Sequence, residues 1–169
     1  VHSSDTARNV QWFRFDDTAF LRRFLPGNPE TVIGDGAFLQ GRTNIVGYMM
    51  GVQWVSFVSQ NTFALGALGD HLTSFGGRIY EFTGHMPVTA WLGAGCAGSY
   101  GTVVEPCNYT NKFPDPRMHF WYGRGFCAGE SYGMSVQNPY QGLFAGDPLA
   151  QPFAVPAALS VTGVSSGQT

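Results

Sequence analysis

Charge is what this sequence has least of. Its nine Lys and Arg and eleven Asp and Glu residues make up 12% of the chain, where a globular domain usually carries about 25%. So few charges cannot dress a whole surface. Either a partner or further chain covers much of it, or the protein works outside the cell with an uncharged polar and glycyl exterior. The shortage also excludes an electrostatic footprint for nucleic acid: the cations are scattered, Arg22–Arg23 is the only adjacent pair, and the net charge is −2.

Long apolar runs are missing too. The stretch 45–58 is interrupted by Gly47, Gly51, Gln53 and Ser56 and falls short of the roughly 20 residues a membrane span needs. No HxxxH or CxxC spacing occurs, so no metal or cofactor is expected. There is no internal repeat and no signal-peptide pattern, yet the chain begins at Val1 rather than Met, and a preceding segment is therefore expected to have been removed. The three cysteines, Cys96, Cys107 and Cys127, allow at most one internal disulfide. A Cys107–Cys127 bridge would close a loop of about 20 residues and contribute about 3 kcal/mol; the alternative is three buried thiols.

What is present points to strands alternating with helices. Asp16–Asp17 ahead of an apolar pattern at Phe20, Leu21, Phe24 and Leu25, with Arg22–Arg23 late and Pro26–Gly27 as a stop, predicts a short helix. Residues 44–57 suit a strand entering a loop, and 63–72 are ambiguous between strand and helix. Paired Gly76–Gly77 predict a loop with special backbone angles. Pro87 opens a compact helix ended by Gly93, 96–104 is a candidate buried strand, 118–122 and 128–136 are predicted helices, and 143–145 is a short strand. The alternation predicts an α/β domain, its sheet mostly parallel and flanked by helices. We divide it into an amino-terminal segment (1–43), a core (44–153) and a linker with an isolated β-segment (154–169). That last segment needs a sheet from another domain or subunit.

Three ordered segments carry a resemblance: Asp70-His71-Leu72-Thr73-Ser74-Phe75-Gly76-Gly77, then Ala94-Gly95-Cys96-Ala97-Gly98-Ser99-Tyr100-Gly101-Thr102-Val103-Val104-Glu105-Pro106-Cys107-Asn108, then Gln141-Gly142-Leu143-Phe144-Ala145-Gly146-Asp147-Pro148-Leu149 before Pro152-Phe153. Over 44–153, roughly two thirds of the chain, they resemble an uncharacterised family of bacterial, exported proteins. Cys96 departs from it, standing where a small residue such as alanine is expected. That family in turn is distantly similar to gingipain-type cysteine peptidases, which implies a partial caspase-like domain. The resemblance lays the nucleophile loop on Thr73–Ser74, where no cysteine stands. No histidine lies between His2 and His71 to serve as the upstream base. It therefore implies that the peptidase machinery is absent.

A rival enzymatic reading takes His71 as base, with Asp70 beside it and Ser74 or Cys96 as nucleophile. Adjacent strand residues point to opposite faces, so Asp70 cannot orient His71 unless the backbone turns. The bland alternative is that Asp70, His71, Thr73 and Ser74 tie a loop together, and that Cys96 is a small buried hydrophobe. His85 and His119 are lone histidines beside aromatics. Glu105 follows a strand end, where α/β sheets place their site residues, or else anchors the loop. Asn108-Tyr109-Thr110 is a glycosylation sequon, and Trp12, Trp54 and Trp121 could form a carbohydrate- or surface-binding face. The expected function is a non-catalytic, secreted or cell-surface structural or assembly module with a protein partner or self-assembly. The alternative is a peptidase-like hydrolase using Ser74 or Cys96 with His71.

Overall fold

The computed structural model describes residues 21–25, 27, 29–30, 37–105 and 109–155. At its centre is a four-stranded sheet in the spatial order β1-β2-β3-β4. Strands β1 (Ile45–Met50), β2 (Phe63–His71) and β3 (Gly98–Thr102) run parallel; β4 (Gly142–Gly146) lies antiparallel to β3. Helix α1 (Thr89–Gly93) connects β2 to β3, while α2 (Met118–Gly123) and α3 (Ala128–Ser135) connect β3 to β4. The chain is thus α/β with a mixed, mostly parallel sheet. Among the described residues no helix is long and apolar enough to cross a membrane.

The two central strands are buried on both faces: β2 from Gly66 to His71, and β3 throughout. Coverage on both sides is why these segments read as continuous apolar or small-residue runs rather than alternating ones. It also resolves the ambiguity of 63–72 in favour of a strand. Side chains leave β2 alternately. Leu68 and Asp70 point towards α2 and α3, where Tyr100, Met118, Tyr122, Ala128, Tyr132 and Val136 pack. Gly69 and His71 face α1, among Tyr48, Met50, Val55, Val58, Met86, Trp91 and Cys96. Trp91 is fully buried and meets Tyr48 edge to face at 5.2 Å. Gly69 is what lets it approach, because a Cβ there would lie 2.4 Å from the indole ring.

Helix α1 ends at Gly93, as expected, and the stop is completed two residues on by Gly95, whose φ of 106° is left-handed. Gly95 N–H donates to Leu92 C=O and Cys96 N–H to Trp91 C=O, both at 3.0 Å, which is the Schellman arrangement. Cys96 therefore finishes the helix instead of starting β3. The paired glycines also act differently. Neither Gly76 nor Gly77 has a left-handed φ. Gly77 instead packs backbone to backbone on β3, where a Cβ would come within 2.3 Å of Gly101 O, and its N–H donates to Thr102 C=O at 2.9 Å. Of the expected amino-terminal helix, the described part is a single 3-10 turn, Arg22–Phe24. Its earlier residues and the β-segment beyond Val155 lie outside the described residues.

Candidate functional site

The parallel strands β2 and β3 end at His71 and Thr102, and the loops beyond them hold Thr73, Ser74 and Glu105. His71 is the last residue of β2 and is 2% exposed. Trp91 Nε1–H donates to its Nδ1 at 3.0 Å, and its Nε2 lies 2.6 Å from Met86 C=O. An indole N–H can only donate and a carbonyl can only accept. Nδ1 is therefore the acceptor, Nε2 carries the proton, and the ring is a neutral strut with both nitrogens occupied.

The sheet itself separates Asp70 from His71. On the opposite face, Asp70 accepts Tyr100 N–H on Oδ1 at 2.8 Å and the Tyr132 hydroxyl on Oδ2 at 2.7 Å. Burial pushes its carboxyl up to about 7, against a smaller opposing pull from those two donors. Cys96 lies under Trp91 against Gly69. Burial, and secondarily the negative charge of Asp70, pushes its thiol up to about 12, far from the thiolate a nucleophile needs. Ser74 is half-buried in the loop after β2, three residues past an imidazole whose nitrogens are both engaged. Within the rival enzymatic set, Asp70 is therefore held away from His71, and His71 has both nitrogens engaged elsewhere.

A different hydroxyl meets a different imidazole. Thr73 Oγ1 lies 2.5 Å from His85 Nδ1, and the Phe75 ring meets His85 edge on at 5.3 Å. The Thr73 carbonyl accepts the Thr102 hydroxyl, and Thr73 is 1% exposed. The pair ties the two sides of the loop at its base. Neighbouring sequence carries no sign of it, because His85 is brought back to Thr73 only by the path of the whole loop.

Glu105 follows β3 and pairs with Lys112 at 2.6 Å. The Lys112 side chain is fully buried while that of Glu105 keeps 30% of its exposure, so the pair anchors the loop. Lys112 was invisible as a site residue: nothing in sequence distinguishes a buried lysine from a solvated one. His119 packs on Gly47 of β1, its Nε2 buried without a partner, and burial lowers its pKa to about 4. Trp54 is 51% exposed and Trp121 38%. Trp121 lines a shallow cleft with Phe24, Phe120, Arg124 and Phe126. Trp12 lies outside the described residues. Cys127, expected to pair with Cys107, is a free thiol at the start of α3; Cys107 and Asn108 are themselves outside the described residues. Among the described residues no group of three or more His, Cys, Asp and Glu could hold a metal ion.

No protein-family model, curated protein or solved structure matches the chain.

Proposed function

We propose that the chain is a non-catalytic, extracytoplasmic structural or assembly module built on a partial caspase-like plan. The observation that carries this reading is His71. The residue best placed in sequence to act as a base has both nitrogens committed to holding α1 and the Met86 segment on the sheet. A base must be free to accept a proton from its nucleophile. The surface supports the same reading. Leu65, Tyr80, Phe82 and Tyr140 are each more than 90% exposed in a chain poor in charge, and protein contact surfaces are depleted in charge and enriched in aromatics.

One observation favours a hydrolase, namely the Thr73–His85 contact, which has the form of a nucleophile and its base. Against it, Thr73 is sealed from solvent, so an incoming carbonyl has no approach. Both readings meet in one experiment. The purified chain is sedimented over a wide concentration range, alone and with extracts, and offered serine- and cysteine-directed probes and a peptide and ester panel. Self-association or stoichiometric co-assembly with no labelling is expected. A lone monomer that turns over a substrate, with turnover lost in His85→Ala or His71→Ala, would refute the proposal.

A further inference from the structure

Asp70 is fully buried in the middle of the sheet and bridges three elements: its own strand β2, β3 through Tyr100 N–H, and α3 through the Tyr132 hydroxyl. The groups that face it bring no positive charge. From β3 come the Tyr100 backbone amide and a phenol whose hydroxyl is directed to Pro139 C=O; from α3 comes the Tyr132 phenol. Below the sheet lies the Cys96 thiol, which feels the Asp70 charge, and Tyr122 on α2 acts on Tyr132. Met49 is its register partner on β1, and His71 is turned to the other face. A carboxylate can accept about four hydrogen bonds and receives two here, both from neutral donors. A buried ion so placed is poorly solvated, whereas the neutral carboxyl can donate its own O–H to the Tyr132 oxygen while its other oxygen still accepts Tyr100 N–H.

We propose that Asp70 is a proton-operated latch between the sheet and α3: its neutral carboxyl holds β2, β3 and α3 together, and its ionisation favours release of α3. Helix α3 is the element able to respond. It is eight residues long and contains Gly129 and Gly133, and glycine weakens a helix interior. Its ends are tied by backbone bonds to the segments beside the sheet (Ala128 N–H to Ala150 C=O, Gly129 N–H to Pro148 C=O, and Asp115 N–H to Ser135 C=O), while the Tyr132–Asp70 bond joins its middle to the central strand. Releasing it lets water reach the carboxylate.

The sign follows from the direction of the shift. The carboxyl, at 3.8 when unperturbed, is raised by burial to about 7, so the folded form binds the proton more tightly than the unfolded one. The contribution is fully present below about 3.8 and is lost as pH rises through about 7. Across that window one proton changes the folding constant by about tenfold per pH unit, on the order of a thousandfold in all.

The test uses the intact chain. Carbon-13 labelling of aspartate allows the Asp70 carboxyl to be titrated directly, with an expected midpoint near neutral. A midpoint in the ordinary carboxylate range overturns the proposal. Hydrogen exchange of the α3 amides, corrected for intrinsic rates, is then followed from below to above that midpoint in the wild type and in Asp70→Asn. The opening constant of α3 in the wild type is expected to rise about tenfold per pH unit from about 3.8 up to the midpoint and to level off above it, and to stay flat in the variant. An equal rise in both overturns it. If Asp70→Asn does not fold, Tyr132→Phe removes one donor to the carboxylate and must raise the titration midpoint; an unchanged midpoint overturns the latch.

Discussion

Replacing His71 by alanine separates a structural histidine from a catalytic one, because the two roles lose different things. In the folded chain the imidazole accepts from Trp91 Nε1–H at 3.0 Å and meets Met86 C=O at 2.6 Å through Nε2. Truncation strands a buried indole N–H and a buried carbonyl, each at a cost of about 1–3 kcal/mol. The vacated volume adds a cavity worth about 1–2 kcal/mol, so the total is about 3–8 kcal/mol. That is a large part of the roughly 5–15 kcal/mol by which domains are stable. At about 2–4 °C per kcal/mol for a chain of this size, the melting temperature should fall by about 6–32 °C. Denaturant unfolding followed by Trp fluorescence and circular dichroism measures it. The partner variant Trp91→Phe removes the donor together with part of the buried ring, and the double-mutant cycle, in which the packing loss cancels, should show a coupling of about 0.5–3 kcal/mol. A loss below about 1 kcal/mol for His71→Ala, or additive single effects, would show that these bonds do not hold the sheet edge.

Gly69→Ala should destabilise by about 1–3 kcal/mol through overpacking against Trp91. Gly93→Ala, within α1 and with nothing within 4 Å, should be neutral or stabilising by up to about 1 kcal/mol; the opposite order by thermal melting would contradict the packing. Glu105→Gln leaves the fully buried Lys112 ammonium without its carboxylate. It should cost about 1–3 kcal/mol, less than a wholly buried pair because Glu105 is partly solvated, and denaturant titration decides it. In the native state near neutral pH, iodoacetamide followed by peptide mapping should alkylate Cys127 and spare Cys96, whose thiol is buried and pushed up to about 12. Rapid alkylation of Cys96 would reopen it as a nucleophile.

That Asp70 does not orient His71 was legible in advance, since neighbouring strand residues must face opposite ways. Their partners were not. Trp91 is 20 residues from His71, and Tyr132 is 62 from Asp70; no local period links such positions. Cys96 shows the same limit at a boundary. Its small apolar character fits a strand start, but the left-handed Gly95 before it sets the chain into a helix stop. The paired glycines were noticed for their backbone freedom, whereas their use is the approach of Gly77 to Gly101 on a strand distant in sequence.

Composition and local chemistry alone determined the class of the chain: scarce charge, turn residues and alternating short apolar segments leave an α/β sheet with helices between its strands. Which polar groups could ever act on one another was decided only by tertiary structure. Burial removes water from Asp70, His71, Cys96 and Lys112 alike, and a polar side chain without water takes its protonation and its role from whichever donors and acceptors the fold carries to it.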